Sequence, residues 1–80
     1  MRGSSVWFPA KDGSRTRFAW DFAGRLTDDE VRQIKEALEG LGASEFQVRH
    51  QNHLDFYVDT SKIFTVEQVA RGYDLKTYHS

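Results

Sequence analysis

The chain reads as an α+β domain, a two-layer sandwich in which an antiparallel sheet of four to five strands carries two helices on one face. Three observations predict it. Large apolar residues alternate with polar ones in RTRFAWDF (15–22), FQVRH (46–50) and LDFYV (54–58), the period-two signature of strands with one buried face. After LTDDEV (26–31) the apolar residues recur every three or four positions, the signature of an amphipathic helix, and FTVEQV (64–69) repeats the same opening. With 80 residues, of which 39% are hydrophobic and 14% aromatic, the chain supplies one core and no second one, so residues 1–80 form a single domain.

Val6, Trp7 and Phe8 are β-prone, Pro9 follows, and Lys11-Asp12-Gly13 signals a turn into the run holding Phe18, Trp20 and Phe22. The two runs predict a hairpin whose first strand stops or lies at an edge at Pro9, which has no ladder N–H to donate. Its register stays open. A three-residue loop with Gly13 left-handed buries Val6 and Phe8 and exposes Trp7 beside Arg17. An Asp12-Gly13 two-residue turn buries Trp7 and turns Val6 and Phe8 outward.

LTDDEV opens the first helix. Thr27 fits an N-cap that accepts the Glu30 amide hydrogen, Glu30 reaches back to the Thr27 amide, and Leu26 staples onto Val31. Asp28, Asp29 and Glu30 complement the positive end of the helix dipole. Val31, Ile34, Leu38 and Leu41 then point inward, leaving Asp29, Arg32, Glu36 and Glu39 wet, and Gly40 and Gly42 supply the stop.

Phe46 and Val48 must share a face with Leu54 and Phe56. Only an even register sum allows that, so a three-residue loop 50–52 with Asn52 left-handed is expected, setting Arg49 opposite His53, Gln47 opposite Asp55 and Glu45 opposite Tyr57. In FTVEQV, Thr65 reads as a cap, Gln68 as its box partner and Phe64 as a staple to Val69, with Gly72 ending a short helix. Residues 73–79 form a last strand or a tail that packs its tyrosines. The order ββαββα, with a possible final β, suits a ferredoxin-like or related split β-α-β arrangement. In that arrangement, however, an N-terminal hairpin partner takes the edge that a final strand would use.

The absence of cysteine excludes disulfides and Cys-based zinc sites, and makes the cytosol the default. No apolar run approaches the roughly 20 residues of a membrane span, and residues 1–13 lack the pattern of a signal peptide, so no membrane partner is expected. Charge is uneven. Residues 1–25 hold Arg2, Lys11, Arg15, Arg17 and Arg25 against Asp12 and Asp21, whereas residues 26–45 hold Arg32 and Lys35 against Asp28, Asp29, Glu30, Glu36, Glu39 and Glu45. The net charge of −1 and pI near 6.3 argue against indiscriminate nucleic-acid binding.

No nucleophile elbow, phosphate loop or metal-ligand spacing is present, so neither a catalytic residue nor a cofactor or metal is expected. Two surfaces remain as partner-binding candidates. One is a basic and aromatic face formed by Trp7, Phe8, Arg15, Arg17, Arg49, His53 and Tyr57. Exposed aromatic groups beside arginines are typical of protein interfaces. The other is the acidic helix face of Asp28, Asp29, Glu36 and Glu39. The expected function is that of a small non-enzymatic protein that occludes a protein partner, of inhibitor or adaptor type. Phage and mobile-element anti-defence proteins, anti-CRISPR proteins among them, are similar in size and plainness. Two alternatives use the arginines: nucleic-acid binding on the sheet face, or a small metal-independent nuclease with His53 doing acid and base work beside Arg17.

Overall fold

A computed structural model describes residues 2–11 and 13–79, His79 by its backbone only. In chain order the elements are β1 (Gly3–Pro9), β2 (Arg15–Phe22), α1 (Asp28–Glu39), β3 (Ser44–Arg49), β4 (His53–Asp59), a 3-10 turn (Thr60–Lys62), α2 (Ile63–Gly72) and β5 (Leu75–His79). The strands form one sheet in the order β3-β4-β2-β1-β5. Phe18, Trp20, Phe22, Leu54, Phe56, Val58 and Leu75 share one face of it and form a single core with Ile34 and Leu38 of α1 and Val66 and Ala70 of α2. Both helices therefore lie on that face, and the opposite face is left uncovered.

The strand order settles the competition for the edge beside β2. Without β1, the remaining elements follow the split β-α-β plan, with β5 due to sit antiparallel to β2. The hairpin strand β1 takes that place, pairing antiparallel with β2, and β5 moves one position outward onto β1. Its direction is fixed by the crossover from β4 through α2, so against the reversed β1 it must run parallel. The sheet is consequently mixed rather than wholly antiparallel.

In the first hairpin Trp7 lies opposite Phe18, Phe8 opposite Arg17 and Val6 opposite Ala19. This register has the parity of the two-residue turn, but the strands are joined by a longer loop: Ala10 N–H donates to the Arg15 carbonyl and Gly13 N–H to the Ala10 carbonyl, both at 3.0 Å, with Gly13 at φ +73, and Asp12 lies outside the described residues. Trp7 is thus on the core face, tilted against Phe18, and its indole N–H donates to Glu67 of α2 at 3.0 Å. Of the two registers left open by the sequence, the one that exposes Trp7 beside Arg17 is ruled out by this parity, and Trp7 drops out of the basic and aromatic face; Phe8 and Val6 take that face instead.

Helix α1 begins as expected. The Thr27 hydroxyl accepts the Glu30 N–H at 3.1 Å and the Glu30 carboxylate accepts the Thr27 N–H at 2.8 Å, closing the capping box. Its end is a Schellman turn: Ala43 N–H donates to the Leu38 carbonyl and Gly42 N–H to that of Glu39, with Gly42 at φ +85. In the second hairpin Arg49 pairs with His53 and Gln47 with Asp55, but Ser44, not Glu45, lies opposite Tyr57 because the strand bulges at Glu45, whose φ is +58. The left-handed residues of its turn are His50 and Gln51 rather than Asn52. That geometry aims the Gln51 and Asn52 carbonyls at the Leu26 and Phe22 N–H groups, both at 2.7 Å, so the turn is shaped by the segment joining β2 to α1.

The second box does not form. Helix α2 starts at Ile63, directly after the 3-10 turn, and no side chain caps it. Asp59 accepts the Ser61 N–H at 2.9 Å, Thr60 N–H donates to the Ser14 carbonyl, and the Thr16 and Thr60 hydroxyls meet at 3.1 Å. These ties start the helical winding at Thr60 and set its phase so that Val66 and Ala70 are buried. Thr65 then falls inside the helix and Phe64, the expected staple, is 69% exposed. Tyr73 at the C-cap packs edge-on against Trp20 and Phe22, and Asp74 at φ +62, rather than Gly72, turns the chain into β5.

Candidate functional site

The uncovered face is a grid whose rows follow from the registers. One row runs Arg49, His53, Asp21, Ser4, Lys76; the next Gln47, Asp55, Ala19, Val6, Tyr78; the third Ser44, Tyr57, Arg17, Phe8. Six residues expected on a basic and aromatic face, Phe8, Arg15, Arg17, Arg49, His53 and Tyr57, are brought together here, and Trp7 alone is not.

A connected chain of interactions crosses the grid. His53 Nδ1 lies 2.6 Å from Asp21 Oδ1, and His53 Nε2 lies 3.1 Å from Asp55 Oδ2. The other Asp55 oxygen accepts from Arg17 Nη1 at 3.2 Å, and the Arg17 guanidinium sits 4.3 Å above the centre of the Phe8 ring. Contacts of this last kind contribute about 0.5–1 kcal/mol at exposed sites. Arg15 donates to the Ser44 hydroxyl at 2.7 Å and to the Tyr57 carbonyl at 3.1 Å, and Arg49 reaches Gln47 on its own strand at 3.4 Å. Beyond Arg17 the face turns apolar, with Val6, Phe8 and Tyr78, the last 52% exposed. Strand β5 extends the sheet at this edge and contributes Tyr78 to the patch rather than folding over it.

The electrostatics favour a protonated His53. Partial burial, the largest single influence, pulls its pKa down, but the hydrogen bonds and charges of Asp21 and Asp55 together outweigh it and leave the pKa raised from the ordinary 6.5. Asp59 is held below 3.8, chiefly by the hydrogen bond from the Ser61 backbone N–H.

This arrangement constrains the chemistry. The two carboxylates approach opposite nitrogens of one ring, so they cannot converge on a single ion, and no cluster able to hold a metal occurs among the described residues. With both ring nitrogens engaged by carboxylates and Arg17 by Asp55, acid and base work on a phosphodiester would require that network to break first. The same carboxylates stand in the middle of the face, among its arginines.

The acidic helix candidates, Asp28, Asp29, Glu36 and Glu39, are exposed on α1, in the other layer. Their charge is partly answered within the helix: Arg32 pairs with Asp29 at 3.2 Å and with Glu36 at 3.5 Å. Asp28 accepts from the Gln51 side chain at 2.8 Å. An open groove of about 290 Å³ runs along the helix, lined by Asp28, Val31, Arg32, Lys35, Glu36 and Glu39.

Asp21 and Tyr78 belong to the open face without having been singled out from the sequence. Their positions depend on the β2/β4 and β1/β5 pairings, which local patterning does not encode.

No family model, no curated protein and no solved structure matches the chain. Among the described residues no helix is long and apolar enough to cross a membrane.

Proposed function

We propose that this is a small non-enzymatic binding protein that acts by covering part of a protein partner with the open face of its sheet, as an inhibitor or adaptor does. One observation carries the reading: Phe8, Val6 and Tyr78 remain on an uncovered sheet face beside an arginine already held in place. Apolar groups rimmed by arginine supply much of the binding energy at protein interfaces. Arg17 is fixed by Asp55 and stacked on Phe8, so it loses little freedom when a partner docks. The charged side chains described on this face, Arg15, Arg17, Arg49 and Lys76 against Asp21, Asp55 and Asp59, leave it net basic, which suits an acidic partner surface.

Occlusion needs no catalytic group, and anti-defence inhibitors of phages, such as anti-CRISPR proteins, are one class that works this way. A chain with no cysteine to protect directs the search for the partner to the cytosol first. Nucleic-acid binding draws on the same arginines, but Asp21 and Asp55 at the centre of the face oppose a phosphate backbone.

The test is affinity capture from the native host with three proteins: the wild type, a Phe8→Ala/Arg17→Ala double variant, and an Asp29→Asn/Glu36→Gln control on α1. The expected result is one stoichiometric partner that the control retains and the double variant loses. Retention by the double variant overturns the reading. So does a salt-sensitive shift of RNA or DNA that disappears with Arg17→Ala/Arg49→Ala.

A further inference from the structure

Among the described side chains of the open face, His53 is the one whose charge changes near neutral pH, and its surroundings give that change a mechanical consequence. Each ring nitrogen is within hydrogen-bond distance of a carboxylate oxygen, so each must carry a proton for both contacts to be favourable. A neutral ring has one N–H only. Its other nitrogen then presents a lone pair to a carboxylate, and one of the two contacts has to open.

Exposure decides which one. The Asp55 side chain is 14% exposed and keeps Arg17 as a partner, whereas that of Asp21 is 58% exposed and is hydrated as soon as it swings away. The proton lost is therefore the one on Nδ1, which passes to solvent, and Nε2–H stays on Asp55. Other charges facing His53 modulate this without replacing it. Arg49 lies opposite on β3 and opposes protonation, Arg17 acts through Asp55, and Lys76 stands two strands beyond Asp21. Neither helix faces the ring, since both lie on the other side of the sheet.

We infer that Asp21, His53 and Asp55 form a proton-operated clasp: closed, it ties β2 to β4 and gives the open face its greatest positive charge; open, it frees Asp21 and weakens docking of an acidic partner. The consequence for a partner rests on the docking reading above, but the clasp itself belongs to the free protein. The raised His53 pKa agrees with it, because two carboxylates stabilise the imidazolium.

The experiment is an NMR titration of the free protein from about pH 5 to 9 that follows the His53 ring nitrogens, the Asp21 and Asp55 carboxyl carbons and the Arg17 guanidinium. Three results are expected: His53 titrates above 6.5, the Asp21 signal follows the same midpoint, and the Asp55 and Arg17 signals move little. Asp21→Asn lowers the midpoint, and His53→Gln abolishes the Asp21 step. Titration of His53 at or below its ordinary value, or movement of Asp55 instead of Asp21, overturns the clasp and leaves the docking reading standing. With the captured partner, the wild type should bind more weakly as pH rises through the midpoint while His53→Gln stays flat. A partner indifferent to Phe8→Ala would instead remove the docking reading and leave the titration as it was found.

Discussion

Two threonines that look alike in sequence should behave in opposite ways when truncated. Thr27 closes a reciprocal capping box with Glu30, so Thr27→Ala removes the acceptor of one helix N–H while the Glu30 carboxylate remains. Loss of such a cap costs about 1 kcal/mol. A domain of this length has a total stability of roughly 4–12 kcal/mol, so the loss is measurable but leaves the protein folded. Thr65 sits within α2, exposed, and caps nothing. Thr65→Ala exchanges a β-branched residue for the best helix former and should stabilise by up to about 0.5 kcal/mol. With a urea dependence of about 1 kcal/mol per molar, the midpoint should fall by about 1 M for Thr27→Ala and hold or rise slightly for Thr65→Ala. Urea unfolding followed by tryptophan fluorescence reads both. Equal losses in the two variants would refute the account of how α2 begins.

Three further outcomes follow from the packing and the charges. Phe56 is fully buried, stacked on Phe18 and edge-on to Trp20, so Phe56→Ala should cost about 3–5 kcal/mol and leave a marginal fold by calorimetry. At Gly3 any Cβ would be driven into the Asp21 carbonyl; Gly3→Ala should destabilise by about 1–3 kcal/mol and speed exchange of the β1/β2 amides. For His53 the folded pKa lies above the unfolded 6.5, so its contribution to stability is fully present below about pH 6.5 and is lost as pH rises through the folded value. Stability curves from pH 5 to 9 should therefore fall more steeply for the wild type than for His53→Gln, and parallel curves would contradict the pairing.

The sequence carries the parts of this molecule that depend on neighbours along the chain. The α1 cap, its Gly42 exit and the inward row Phe18, Trp20, Phe22 are local patterns, and parity alone brought Arg49 to His53 and Gln47 to Asp55. What it leaves open depends on distant pairing. The first hairpin admits two registers, and Trp7 goes inward where the indole reaches Glu67, 60 positions away. FTVEQV has the letters of a cap, yet Thr60, tied to Ser14 and Thr16, starts the helix earlier and strands Phe64 on the surface. The candidate site shows the same division. Its arginines and Phe8 were visible as alternating residues, whereas the Asp21 to His53 contact exists only because β2 and β4 become neighbours after α1 and β3 have intervened.

Exposed aromatic side chains stand in both layers, Tyr78 on the open sheet face and Phe64 on α2, and this allows one direct measurement of which surface meets the partner. A photo-crosslinking phenylalanine analogue is placed at position 78 in one protein and at position 64 in another, and each is irradiated in the native host. Docking through the open face predicts one discrete crosslinked species from position 78 and none from position 64. A crosslink from position 64 alone would contradict it.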